Sequence, residues 1–330
     1  MDSLAVALPV FLISAVVVVI AGIMLARYGD ELAVKTGWGA LWVGTILVST
    51  ATSLPEVVTN VTAVIIGSPS LALGNILGAN MVNIFVIAIV AIIFGTRNVF
   101  GGQPRNSQNL VILAIVMGLL LLAIGLWGDF NLGPTSVGGV VIIVAFIAGM
   151  RWVYKSGEPQ DDDEMGKGNA TKAWIGFGLA ALAIIIAAQF LARSADSIAT
   201  ITGLGAGFMG VLAVSLVTTL PEGSVTITAA YRKSYGIVIG NVYGSCAFNA
   251  SVLFYSDFFH GGPLLSEMGP EHFVAAGGSI TLMTLGYFVI RSFQDKLISW
   301  MRYSVFAIPL IYIGAIFWVY LLSSNTAGTG

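Results

Sequence analysis

One stretch of this chain occurs twice. Residues 36–83 align with residues 202–249 at a constant offset of 166, without a gap and with 18 identities in 48 positions. Thr52-Ser53-Leu54-Pro55-Glu56 meets Thr218-Thr219-Leu220-Pro221-Glu222. Gly74-Asn75 meets Gly240-Asn241, Gly78 meets Gly244, and Asn83 meets Asn249. The likeness reaches upstream, where Ala26-Arg27 and Asp30 meet Ala192-Arg193 and Asp196. A repeat of this kind restricts the chain to folds built from two related halves.

The solvent of those halves follows from charge. Only 9% of the 330 residues are charged and 57% are hydrophobic, whereas soluble domains carry roughly 25% charged residues. So little charge cannot coat a water-facing surface, and lipid must be the main solvent. A formal net charge of -2 gives no electrostatic footprint for nucleic acid. Cys246 is the single cysteine, which excludes an intrachain disulfide. The N-terminal apolar run from Leu4 to Leu25 follows Asp2 and spans about 22 residues. A signal-peptide core is shorter, roughly 7–15 residues, and follows basic residues, so the run reads as a retained first transmembrane helix.

Crossing a bilayer takes roughly 20 apolar residues in a helix. Ten candidates meet that length, at about 4–25, 38–65, 70–95, 109–127, 135–153, 172–191, 204–230, 236–256, 272–291 and 302–322. Spans two, three, seven and eight are rich in Gly, Ser, Thr and Asn and belong inside the bundle. The odd-numbered connections carry 13 of the 14 Lys and Arg residues, which places them in the cytoplasm and both termini outside. Arg193 is the exception, and it is the repeat mate of Arg27. Each half holds five spans, an odd number, so the second half enters the membrane from the opposite side. The expected fold is an all-α integral membrane protein of ten transmembrane helices in two inverted five-helix repeats. The first repeat covers 1–153, a cytoplasmic linker covers 154–170, and the second repeat covers 171–330.

By this map Glu56 and Glu222 are the two acidic residues deep in the membrane, and they are repeat mates. A charge at the bilayer centre costs at least ~2.5–3.5 kcal/mol. The alternative, a pair of protonated carboxyls bonding between helices, is the weaker reading, because neither span two nor span seven contains a Lys or Arg that could neutralise its Glu. Each Glu follows a Pro, which cannot donate the i to i−4 bond and frees an upstream carbonyl, at Ala51 and Val217. Thr52 and Thr218 lie one turn before the carboxylates, on the same face. Asn83 and Asn249 follow each Glu by 27 residues and offer amide oxygens. Carboxylates, hydroxyls, amides and free carbonyls suit a hard cation such as Ca2+, which takes about six to eight oxygens. Soft-metal sites use Cys or His. Gly74, Gly78, Gly240 and Gly244 have small-xxx-small spacing and should let spans three and eight approach their neighbours closely.

These motifs resemble the calcium/cation antiporter superfamily, which includes sodium/calcium exchangers. The two cores run from Ser49 to Glu56 and Gly74 to Asn83, then from Ser215 to Glu222 and Gly240 to Asn249. The resemblance implies four ion sites between spans two, three, seven and eight. Glu56, Glu222, Thr52 and Thr218 would bind Ca2+. Na+ would use the same glutamates with Ser53, Thr219 and Ser245, and backbone oxygens near Ser49 and Ser215. Spans one and six would slide across the other eight. Two positions depart from the family pattern. Ala79 stands where sodium exchangers carry Ser, and Asn249 stands where several carry Asp.

The expected function is therefore antiport of Ca2+ for Na+, with no cofactor. A Ca2+/H+ exchanger or an antiporter for another divalent cation is the alternative, and a cation channel is a weaker one. A channel would place oxygens in rings along a pore. An intramembrane hydrolase would need a nucleophile and base, and none stands out, so the chain is not read as an enzyme. The expected partners are inorganic cations and membrane lipid, with neither nucleic acid nor a protein partner implied. Short polar loops favour a prokaryotic cell membrane. Asp161-Asp162-Asp163-Glu164 reads as solvated linker, and His260 and His272 are assigned to the outer eighth loop.

Overall fold

The computed structural model describes residues 1, 3–36, 52–103, 105–156 and 170–327. The described residues are almost wholly helical. In chain order the long helices are α1 (Leu4–Thr36), α2 (Leu54–Ile65), α3 (Pro69–Phe94), α4 (Arg105–Trp127), α5 (Val137–Lys155), α6 (Thr171–Thr202), α7 (Ala206–Thr218), α8 (Leu220–Tyr231), α9 (Tyr235–His260), α10 (Pro270–Arg291) and α11 (Ala307–Ala327). A two-residue hairpin, Asn131–Leu132 with Thr135–Ser136, precedes α5.

Eight helices among the described residues are long and apolar enough to cross a membrane, and the bent pair α7–α8 makes a ninth. The expected second span is represented by α2 alone, because residues 37–51 lie outside the described residues. The linker segment with Asp161 to Glu164 lies outside them too. Two spans run longer than expected: α1 has 33 residues and α6 has 32. Such helices are roughly 50 Å long and extend beyond a hydrocarbon core of ~30 Å.

Helix boundaries recur at the sequence offset. Adding 166 to the bounds of α2 gives those of α8, and adding it to α3 gives α9. The turn after each short helix recurs as well. Ser68 N donates to Ala63 O at 2.8 Å, and Ser234 N donates to Ala229 O at 2.9 Å. Both turns pass through the left-handed region, at Gly67 (φ 80°) and at Lys233 (φ 59°). These are helix C-caps of the Schellman type, in which the left-handed residue lets the chain satisfy the last carbonyls.

Repeat mates run antiparallel where they touch. The Met1 amine donates to Ser197 Oγ at 3.2 Å, and Tyr28 packs against Gly176. The start of α1 therefore meets the end of α6, and the reverse. In the same way Gly125, late in α4, meets Met268 and Phe273 around the start of α10. The halves also interlock, because α6 packs on α2 while α1 packs on α8.

The polar-rich helices take the interior, as their composition requires. The apolar window of α9 is 83% buried, against 17% for that of α5. Lipid is as apolar as Leu, so such helices associate through close packing rather than hydrophobic exclusion. Gly74 and Gly78 supply that closeness. A Cβ on Gly74 would collide with Gly207 O, and one on Gly78 with Val211 O. At Gly240 an added Cβ would meet nothing within 4 Å among the described residues. The segment that pairs with it by symmetry falls in 37–51. We expect Gly78→Val to lower stability by roughly 1–3 kcal/mol through overpacking, read as a fall in detergent melting temperature.

Candidate cation-binding site

Two prolines place the site. Pro221 has no N–H, so Val217 O loses its helical partner, and the chain bends by 45° between α7 and α8. The first backbone bonds after each break are Gly223 N to Thr219 O at 3.0 Å and Val57 N to Ser53 O at 3.2 Å. Glu222 and Glu56 sit just before them, in the first turn of α8 and α2. A helix start carries positive partial charge, so each half-helix favours the carboxylate it buries. Both glutamates are 1% exposed.

The two repeats exchange hydroxyls across the site. Ser53 Oγ donates to Glu222 Oε1 at 3.1 Å, and Thr52 flanks the same carboxylate. Their mates, Thr219 and Thr218, flank Glu56. Glu56 and Glu222 lie within electrostatic reach of each other. Two carboxylates in a dry pocket repel unless a cation or proton lies between them.

Asparagines form the surrounding frame. Asn249 Nδ2 donates to Asn80 Oδ1 at 3.0 Å, which ties α9 to α3 at mid-helix. Cys246 Sγ lies 3.8 Å from Asn80 O, a packing position. Asn75 receives the Thr218 hydroxyl at 3.1 Å and donates to Asn60 at 3.3 Å. Its mate Asn241 donates to Thr226 Oγ1 and to the Glu222 carbonyl, both at 2.9 Å. Asn60, Asn75, Asn80, Thr226 and Asn241 were not singled out from sequence as site residues. The repeat pairing of Asn75 with Asn241 was the signal available for finding two of them.

Several buried oxygens have no hydrogen-bond partner among the described residues: Glu56 Oε2, Glu222 Oε2, Thr219 Oγ1, Ser245 Oγ and Asn249 Oδ1. An unsatisfied buried polar atom is costly, about 1–3 kcal/mol, so this concentration marks a ligand position. Among the described residues no group of three or more His, Cys, Asp or Glu occurs. A cation held here takes two carboxylates and neutral oxygens, which suits a hard ion.

The remaining expected residues divide. Asn83 is buried, but its unpartnered atom is Nδ2 rather than oxygen, and a half-turn of the amide would present the oxygen instead. Ser215 sits beside a π-helical turn, Gly210–Val214. Its hydroxyl is committed to Val211 O and its carbonyl accepts Thr219 N. Ser49 and Ala51 lie outside the described residues. His272 is not in a loop as expected. It is buried in the first turn of α10, with Nε2 3.0 Å from Ser70 O. His260 is the last residue of α9.

A multi-pass membrane protein with a broken helix and a buried oxygen site between repeated helices has the build of a cation transporter. The family described as sodium/calcium exchanger protein matches residues 6–155 and 172–321, and the chain belongs to it. A shorter match to type IV secretion system pilin covers 135–191, two apolar helices with the segment between them. An uncharacterised membrane protein of Methanocaldococcus jannaschii is 26% identical over 205 residues, 62% of this chain and 65% of that one. The inner membrane protein YrbG of Escherichia coli is 25% identical over 226 residues, 64% of this chain and 67% of that one. The chain thus matches about two thirds of these relatives' lengths. The sodium-calcium exchanger NCX_Mj, soaked with Na+ and Sr2+, superposes with a TM-score of 0.64 at 22% identity, covering 95% of this chain and 99% of that one. The same exchanger without Na+ and Ca2+ gives 0.61 at 20%, covering 94% and 97%.

If the hydroxyls act across the repeats, Ser53→Ala and Thr219→Ala should each weaken Ca2+-dependent thermal stabilisation. Ser53→Ala loses one hydrogen bond, ~1 kcal/mol, whereas Thr219→Ala removes an oxygen that is unpartnered among the described residues and available to the ion. A full effect in one variant and none in its mate would contradict the crossed arrangement.

Proposed function

We propose that this chain is a secondary antiporter that exchanges Ca2+ for Na+ by alternating access at the Glu56–Glu222 site. The observation that carries the reading is a pair of buried carboxylates, one from each repeat, each with an oxygen that has no hydrogen-bond partner among the described residues, beside the likewise unpartnered Thr219 Oγ1, Ser245 Oγ and Asn249 Oδ1 of the second repeat. Two negative charges match one Ca2+ or two Na+, so either occupant relieves the same repulsion. Both ions cannot be held there together at full strength, and that competition is the basis of exchange. Thr52, Thr218, Ser53, Thr219, Ser245 and Asn249 complete the shell, with Asn83 and the backbone near Ser49 and Ser215 as further ligands. Glu56 and Glu222 are ligands in this reading, not acid and base, so the protein is a transporter and not an enzyme.

The architecture proposed for this function is ten spans in two inverted repeats, 1–153 and 171–330, with both termini outside a prokaryotic cell membrane. Antiparallel mates and recurring helix bounds support it. The pair α1 and α6 is the moving element. Its contact carries its own small apolar cluster, Ala21, Leu25, Ala180 and Ile184, apart from the main core. An apolar cleft of about 240 Å³ lies along the same contact, lined by Val17, Met24 and Leu179 among others.

Coupling to H+ is the second reading, favoured by Ala79, which is fully buried and brings no hydroxyl to α3. A carboxylate that loses its metal can take a proton in place of Na+.

Ca2+ uptake into proteoliposomes, driven separately by outward Na+ and H+ gradients, tests both. Uptake on the Na+ gradient is expected, and uptake on H+ alone would replace Na+ as the coupling ion. Glu56→Gln and Glu222→Gln should each abolish uptake while the protein still elutes as a folded species. Near-normal flux in either variant would remove that residue from the site. Ala79→Ser should raise the Na+ dependence of uptake, and an unchanged Na+ response would show that the missing hydroxyl does not limit coupling.

A further inference from the structure

We propose that a second, polar cleft binds the phosphate group of an anionic ligand, and that its occupant in the membrane is a phospholipid headgroup. The cleft has a volume of about 640 Å³ and lies where the turn after α3 faces the segment between α10 and α11. Arg97 and Asn98 line one wall, and Lys296, Ser299 and Arg302 line the other. None of these residues belongs to the cation site.

The walls are braced against each other. Gln294 Nε2 donates to Gln103 O at 3.4 Å, and Gln108 Nε2 donates to the same carbonyl at 3.1 Å. Gln103 is buried and bonds Val99 O at 2.7 Å. Arg302 is also held in place: its guanidinium lies 5.6 Å over the Phe293 ring, and its Nε donates to Ser299 O at 2.6 Å. Its terminal nitrogens make no bond to a described residue and remain free for a ligand. A fixed guanidinium loses little entropy when it takes a phosphate.

Charge favours an anion. Three basic side chains line the cleft against one acidic one, Asp295. Asp295 is partly committed, because its Oδ1 accepts Leu297 N at 2.9 Å and caps the 3₁₀ stretch Lys296–Phe306. Among the described residues neither Arg97, Lys296 nor Arg302 forms an ion pair.

Depth favours a lipid over a free phosphate. The same 3₁₀ stretch exposes Leu297 at 87% and Trp300 and Tyr303 at 67% each. Exposed Trp and Tyr beside basic residues mark the headgroup level of a bilayer, and an amphipathic segment lies in that plane with its apolar side toward the acyl chains. The cleft therefore opens among headgroups, on the face whose basic connections suit an anionic leaflet.

Full-length protein in mild detergent, offered phosphatidylglycerol or phosphatidylcholine and read by native mass spectrometry, tests this without any ion flux. Failure here would leave the exchange reading untouched. Phosphatidylglycerol should be retained in preference to phosphatidylcholine. Arg97→Gln, Lys296→Gln and Arg302→Gln should each cut retention roughly five-fold. Lys296 is exposed, so its single variant keeps the test valid if a combined variant misfolds. Displacement of the lipid by millimolar inorganic phosphate would keep the phosphate cleft and overturn the lipid as its occupant. Equal retention of the two lipids, or unchanged retention in all three variants, would overturn the cleft itself.

Discussion

Two carboxylates buried at one point among apolar helices organise this molecule. Ionised, they repel each other and have lost water, and no buried cation from the chain stands beside them among the described residues. The fold answers with partial charges instead of whole ones. Each glutamate occupies the first turn of a half-helix, where backbone N–H groups face it, and each is flanked by hydroxyls from the opposite repeat. These dipoles offset part of the desolvation cost.

The surrounding packing follows from this need. A helix that breaks in the membrane exposes backbone groups, which are tolerated there only when buried in protein. The broken span α7–α8 is therefore enclosed by α3 and α9. Gly74 and Gly78 let α3 lie against the π-helical turn of α7 with backbone touching backbone. Asn75 and Asn241 then brace the short helices by bonding Asn60 and Thr226 at the matching position one turn beyond each carboxylate. The peripheral helices supply lipid-facing surface, and α1 with α6 share a small apolar cluster, Ala21, Leu25, Ala180 and Ile184, while Gly22 of α1 packs against Pro221 beside the carboxylate.

The repeat left its record in geometry as well as in sequence. The bounds of α8 and α9 reproduce those of α2 and α3 at the sequence offset, and the caps between them use the same hydrogen bonds. Lys233 holds a left-handed conformation that its mate Gly67 adopts at no steric cost. Asn60 became Thr226 and Asn80 became Cys246, yet Asn80 and Cys246 remain in contact across the centre.

Much of this was written in the chain itself. The Leu-Pro-Glu pairs, their offset and the scarcity of charge were enough to define a membrane protein of two related halves and to name Glu56, Glu222 and their hydroxyl neighbours. These are local or compositional signals: proline removes a donor wherever it stands, and a carboxylate in an apolar run needs a reason. Span ends were less legible, because α1 and α6 continue past the apolar core into polar residues that helix geometry alone does not exclude. Burial of His272 within α10 could not be read either, since it depends on Ser70, some two hundred residues away. The placing of Ser53 on the carboxylate of the opposite repeat, the choice of Asn75 and Asn241 as braces, and the packing of α1 and α6 against the short helices belong to the tertiary structure alone. Each requires knowing which faces of distant helices meet, and in a membrane that is decided by close packing among side chains of similar polarity, which leaves little periodic trace in a single sequence.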